Sequence, residues 1–265
     1  MTFPISIFIL DVSNSSSDNK GEELTSYLDE LVNWISNWSK EIGHIKVKHR
    51  SGDEIILIAT GYSTAYTIAF YISRIWKYKK HQPYFGLAFG DTDKEITEID
   101  IEKWIHPLVK QARYANDLLK QEHSRPQFKF ELDQFFTSVQ SSTYSYNHFR
   151  SEFETLINTL LKLQQQFIWN QTEIQELVCS MYLILQQQKA VGELLNRTAP
   201  TISSHYKKGN SDEILNTFTE IITILNSLEQ KTYKSTKTSP METNVNLNDS
   251  IRKHLKEHLK SLIDR

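Results

Sequence analysis

The chain contains a single cysteine, Cys179, so it can form neither an internal disulfide nor a cysteine-cluster metal site. Cys179 falls inside an apolar helical pattern and reads as a small buried hydrophobe. A surplus of charge is also missing. Lys and Arg number 30, Asp and Glu 32, for a net charge of −2. A protein that coats nucleic acid without specificity is excluded by that balance, whereas a small basic face on a neutral whole is not. The apolar start, Met1 to Leu10, is too short to span a bilayer, ends at Asp11 and has no basic residues ahead of it. Neither a signal peptide nor a transmembrane helix is expected, and the expected setting is cytoplasmic with no membrane partner. No repeat of roughly 20–50 residues is visible.

What is present is the composition of a folded chain: 39% hydrophobic and 11% aromatic residues, more than a disordered segment carries. A length of 265 residues suits two modest domains with connectors. Ile5 to Leu10 is short, apolar and rich in β-branched residues, as in a buried strand. Glu22 to Ile42 has helical spacing, and Gly43 stands where a C-cap belongs. His44 to His49 and Glu54 to Ala59 read as a hairpin around Ser51-Gly52-Asp53. A helix over Thr64 to Tyr78, a strand over Tyr84 to Gly90 and a helix over Ile101 to Gln121 follow. Alternating strands and helices predict an α/β layer. From about Gln134 strand signals cease. Tyr144 to Gln165 reads as a long connecting helix, with further helices to about Glu229. The polar stretch 230–246 reads as a flexible linker, and 247–265 as an amphipathic helix with Ile251, Leu255, Leu259 and Leu262 on one face.

Two stretches carry chemistry. Asp11 ends the first strand, and Asp53 and Glu54 lie in the hairpin turn. If that hairpin flanks the first strand, the three carboxylates meet at one edge, where they suit Mg²⁺ and, through it, a nucleotide's phosphates. The serine-rich run after Asp11, with Ser13, Asn14 and Ser15 as candidates, offers backbone N–H groups and hydroxyls to those phosphates.

The second stretch is Gln188 to Lys207. Val191 and Leu195 face a core, and Gly192 is small where two helices cross. Asn196 stands where the turn needs positive φ. Thr198 can cap the next helix and Pro200 fits its first turn, while Ile202 packs that helix back. This spacing matches a DNA-binding helix-turn-helix. Thr198, Ala199, Pro200, Thr201, Ser203, Ser204, Lys207 and Lys208 are the residues expected to face double-stranded DNA. Arg197 and His205 depart from the apolar residues common at their positions. In the last helix His254 and His258 share a face at chelating spacing, but no third ligand is in sight and they read as solvated.

The set Ile9-Leu10-Asp11-Val12, Ser51-Gly52-Asp53-Glu54-Ile55 and Phe85-Gly86-Leu87-Ala88-Phe89-Gly90 resembles the nucleotide cyclase and GGDEF superfamily over roughly residues 3–122. The resemblance implies a ferredoxin-like, cyclase palm-type domain with metal on Asp11 and the turn acids, and it makes Arg113 a nucleotide-binding residue. Ser51 replaces a glycine of the active turn, and Val109 stands where cyclases carry an Asn. The implied role is therefore sensing rather than catalysis, with a nucleotidyl cyclase or dinucleotide synthase as the enzyme alternative. Domain order through residue 208 resembles the SatD family. The expected organisation is an α/β cyclase-like domain (1–125), a linker and connecting helix (126–168), an all-α helix-turn-helix domain (169–229), a linker (230–246) and a C-terminal helix (247–265). The expected function is a homodimeric transcriptional regulator whose N-terminal domain senses a nucleotide or mediates dimerisation. The last helix would dock on its own chain, pair with its twin or bind another protein.

Overall fold

The computed structural model describes residues 2–13, 21–40, 44–50, 52–122, 126–132, 149–232 and 239–263. Strand β1 (Phe3–Val12) leads to helix α1 (Gly21–Trp38), strands β2 (Ile45–His49) and β3 (Ile55–Thr60), helix α2 (Thr64–Ile75), strand β4 (Pro83–Thr92), helix α3 (Pro107–Gln121) and strand β5 (Phe128–Phe130). The strands form one mixed sheet in the order β2-β3-β1-β4-β5. Central β1 runs antiparallel to both β3 and β4, and β5 lies parallel to β4.

The largely apolar run of β1, interrupted by the buried and hydrogen-bonded Ser6, follows from this position, because both of its faces are covered. Phe8, Leu10 and Val12 join the core with α1 and α2, while Ile5, Ile7 and Ile9 join a second core with Leu108 and Ala112 of α3. Burying each such side chain contributes about 1.5–3 kcal/mol. Gly86 lets α3 lie directly on β4. A Cβ there would stand 2.0 Å from the Ala112 carbonyl oxygen. Beside it, buried Asn116 donates from Nδ2 to the carbonyls of Ile9 and Tyr84, both at 3.0 Å, which stitches α3 to the two central strands.

Helix α3 starts six residues later than the periodicity predicts. Pro107 occupies its first turn, and His106 caps it by accepting the Leu108 N–H, so Ile101 to Ile105 are left outside. Helices α1 and α2 likewise end at Trp38 and Ile75, short of the predicted Ile42 and Tyr78; Gly43 lies outside the described residues. The stretch predicted as linker and connecting helix contains β5, whose Phe128 and Phe130 are buried. Three residues are too few for a period-two pattern to register.

The rest is helical: α4 (Arg150–Trp169), α5 (Glu173–Leu185), α6 (Gln188–Leu195), α7 (Ala199–Lys208), α8 (Ser211–Thr232), α9 (Pro240–Glu257) and α10 (Leu259–Ile263). Helices α5, α8 and α9 pack on α2, and one apolar cluster runs from the sheet into these helices. The 230–246 linker needs correction. Helix α8 continues to Thr232 and α9 begins at Pro240, which follows the N-cap Ser239. One of its polar residues is committed to the interior. Asn244 is buried and donates to the hydroxyls of Ser63 (3.2 Å) and Thr67 (2.8 Å). The C-terminal segment docks on its own chain through buried Leu247, Ile251, Leu255 and Leu262. His254 and His258 stack on each other against Trp34, and His254 Nδ1 accepts the Trp38 indole N–H at 3.1 Å, so this pair is packed rather than solvated. Burial, and then the neighbouring His258, hold the His254 pKa below its ordinary value.

Candidate functional site

The stretch with the most constrained local geometry is α5–α6–α7. Thr172 opens α5 with a capping box, its N–H bonded to Gln175 Oε1 at 2.9 Å. Helix α6 ends at Asn196, which holds φ 51° and ψ 48°, the left-handed region that Asn tolerates. The Asn196 and Arg197 N–H groups close on the carbonyls at the end of α6. Gly192 is required for the crossing, since a Cβ would stand 2.9 Å from the Arg197 carbonyl oxygen. Thr198 then caps α7, accepting the Thr201 N–H at 3.4 Å, with Pro200 in the first turn.

Helix α7 is fixed from behind by Ile202, fully buried, and by Tyr206. The Tyr206 ring meets the Tyr182 ring edge-on at 4.6 Å, and its hydroxyl donates to Asp212 at 2.8 Å. His205, which departs from the apolar residue common at its position, is half-buried. Tyr206, four residues after Ile202, supplies the second packing residue, and that spacing was the available signal. Thr198, Ala199, Pro200, Ser204, Lys207 and Lys208 are exposed, and Thr201 and Ser203 half-exposed. The whole predicted contact set therefore lies on the outer side of one helix. His205, Lys207 and Lys208 make the last turn basic.

A second constellation forms at one edge of the sheet. The β1–β3 register sets Leu10 opposite Ile55, so Asp11 comes beside the turn carrying Asp53 and Glu54. Arg113 reaches in from α3 and grips Glu54 with two bonds, of 2.6 and 3.0 Å. Arg50 lies 3.4 Å from the same carboxylate, and Lys120 bonds Asp11 at 2.5 Å. Burial pushes the Asp11 carboxyl above its ordinary value, the Lys120 hydrogen bond opposes this, and Asp53 and Glu54 add to the rise. The hydrogen bond to Glu54 raises Arg113 further. Asp11, Asp53, Glu54 and Arg113 are thus brought together as expected. Ser13 lies close by, but its N–H donates to the Gln82 carbonyl at 2.9 Å and its Oγ accepts the Gln82 N–H at 2.8 Å, tying the strand ends. Asn14, Ser15 and Ser51 lie outside the described residues.

As arranged, the edge does not fit a divalent cation. Both oxygens of Glu54 are taken by Arg113, and an oxygen of Asp11 by Lys120. Among the described residues no group of three His, Cys, Asp or Glu side chains is placed to hold a metal. Arg50, Arg113 and Lys120 offset most of the charge of Asp11, Asp53, Glu54 and the neighbouring Asp117. No helix among the described residues is long and apolar enough to cross a membrane. Comparison of the chain with protein-family models and with curated proteins finds no match to either.

Proposed function

We propose that this protein is a homodimeric, helix-turn-helix DNA-binding transcriptional regulator. The observation that carries the reading is α7 itself. It is pinned by Ile202 and Tyr206, entered through a left-handed Asn196, capped by Thr198, and presents a small, hydroxylic and basic outer face. A helix entering the major groove needs that combination of rigid backing and short polar reach. The near-neutral total charge implies that affinity comes from specific contacts and from pairing two half-sites, rather than from bulk attraction.

Helix α4 supports the dimer. Phe149, Phe153, Leu156, Leu160, Leu163 and Phe167 recur at alternating steps of four and three, a 3.5-residue period suited to a helix partner. Phe149, Leu156 and Leu163 in that row are 62%, 65% and 55% exposed, while Phe153, Leu160 and Phe167 pack, partly buried, against the chain's own core. The sheet order β2-β3-β1-β4 is compatible with a ferredoxin-like, cyclase palm-type reading of the N-terminal half.

The test is selection of bound duplexes from a random library, followed by fluorescence anisotropy on the selected site. Wild type should select a site with two related halves about one helical turn apart. Lys207→Glu with Ser203→Arg should abolish selection without changing the melting temperature. Selection that survives both substitutions would refute the reading.

A second reading, nucleotide sensing at the Asp11 edge, is favoured by the convergence of Asp11, Asp53, Glu54 and Arg113. A nucleotide's phosphates would compete with Glu54 for Arg113 and with Asp11 for Lys120. Calorimetry against mono-, cyclic and dinucleotides, with and without Mg²⁺ and repeated on Arg113→Ala, tests it. Heat that persists in the variant would remove this edge as the binding site.

A further inference from the structure

Arg74, in the last turn of α2, is only 5% exposed. Its Nη2 donates to Gln171 Oε1 at 3.0 Å and to the Glu176 carbonyl at 3.4 Å, but its Nε–H has no partner. Among the described residues no carboxylate lies within ion-pair distance of this guanidinium. A buried cation without a counter-charge is costly, and an unpaired buried N–H adds to that cost. Ser180, on α5 and 4% exposed, is in the same condition, its hydroxyl being without a partner.

Both side chains line one cavity of about 310 Å³ between α2, α5 and the C-terminal α10, close to the size of small-ligand pockets, roughly 300–1,000 Å³. Part of its remaining wall is apolar, beside the polar Ser73, Lys79 and Gln82. Leu177, Met181 and Leu262 contribute side chains. Trp76 has its indole N–H committed to the carbonyls of Tyr78 (3.1 Å) and His81 (2.6 Å), which leaves ring carbons as its contribution. The acids in the wall, Glu173 and Glu176, are solvent-exposed, and Glu173 is engaged by Lys79 at 2.6 Å.

We infer that this cavity is a binding site for a small organic oxyanion, a carboxylate or phosphate carried on an apolar body, with the Arg74 guanidinium and the Ser180 hydroxyl, both sealed from solvent in this structure, turning to donate to the anionic group and Trp76 and the aliphatic wall enclosing the body. The bound oxyanion would supply the missing counter-charge, accepting a charge-assisted hydrogen bond from Arg74. The site also has a direct route to α7. Gln171 accepts from Arg74 and donates from Nε2 to the carbonyl of Gly209, the residue that closes α7, at 2.8 Å. A ligand that draws Arg74 away therefore alters a contact at the end of that helix. Control of DNA binding by this route rests on the proposed function; ligand binding does not.

The test is a titration of the full-length protein with benzoate, phenyl phosphate, inorganic phosphate and neutral benzyl alcohol, followed by the Trp76 indole N–H resonance and by thermal unfolding. Benzoate or phenyl phosphate should shift the Trp76 signal saturably and, at a hundredfold excess over Kd, raise Tm by about 5 °C. Benzyl alcohol should do neither. Arg74→Gln should abolish the shift, and Ser180→Ala should weaken it about tenfold. The inference is overturned if neither organic anion moves the Trp76 signal, or if benzyl alcohol or inorganic phosphate matches them. An Arg74→Gln variant that binds like wild type also overturns it. Should that variant not fold, undiminished affinity in Ser180→Ala does the same. Absence of DNA binding by the unliganded protein would count against the proposed function and leave this titration as it stands.

Discussion

Glu229, near the end of α8, is 6% exposed, and its carboxylate accepts the Tyr62 N–H at 2.7 Å just ahead of α2. No basic side chain among the described residues pairs with it. Burial therefore dominates and raises its pKa from 4.5 to about 7, the Tyr62 hydrogen bond opposing and nearby Asp91 adding. The folded protein keeps a proton here that the unfolded chain releases above 4.5. The stabilisation is complete below that value and is lost as pH climbs through about 7. A rise of this size is worth about 3 kcal/mol, at about 1.4 kcal/mol per pH unit.

Glu229→Gln removes the titration but keeps an oxygen to accept from Tyr62. Urea unfolding at intervals between pH 4.5 and 8.5 should show wild type losing about 3 kcal/mol relative to the variant across that range, with unchanged m values. Parallel stability profiles would refute the reasoning, because they would mean that the carboxylate ionises in the folded protein without penalty.

Three further outcomes follow from the geometry. Gly86→Ala should cost about 2–3 kcal/mol in urea unfolding, because its Cβ meets the backbone of Ala112 rather than a side chain that can swing aside; a loss under 0.5 kcal/mol would show that α3 can lift off β4. Asn196→Gly should leave stability within a few tenths of a kcal/mol, and Asn196→Val should lower it by about 1–2 kcal/mol; equal Tm values would mean that the left-handed turn is not needed. Leu156→Glu with Leu163→Glu should convert the proposed dimer to monomer in sedimentation velocity with little change in Tm, since both residues are exposed; a dimer that persists would place the interface elsewhere.

The parts of the fold most legible in the sequence are those whose signal is local. The three long strands, the β2–β3 hairpin and the α6–Asn196–α7 turn each follow from periodicity or from one demanding backbone angle. The acid edge was legible for a related reason, since an antiparallel partner for β1 had to bring Asp11 beside the hairpin turn. Its electrostatic state was not, because Lys120 and Arg113 lie on α3, and only the packing of that helix delivers them to Asp11 and Glu54. The same limit hid the start of α9. Asn244 looks like a linker residue until Ser63 and Thr67 are seen opposite it. Arg74 gave no local sign either, since a lone arginine in a helix reads as a surface charge until α5 packs over it.

The last two of these misses, the start of α9 and Arg74, both lie against or on α2. Ser63 bonds Asn226 at 2.6 Å, Asn244 bonds Ser63 and Thr67, Glu229 bonds Tyr62, and Tyr66 bonds Gln164 at 3.2 Å. The seam between the sheet and the C-terminal helices is therefore laced with buried hydrogen bonds around α2, within an otherwise apolar contact. Such a network fixes one relative placement of the packed elements, because a slip leaves several polar groups unpaired at once. An apolar seam of the same area would tolerate small slips. Both Glu229 and Arg74 sit on this seam with an ionisable group that lacks a counter-charge, so a proton at one or an anion at the other acts directly on how α5 and α8 meet α2. Because α7 packs on α5 and α8, that contact is where a chemical signal has the shortest path to the proposed DNA-facing helix.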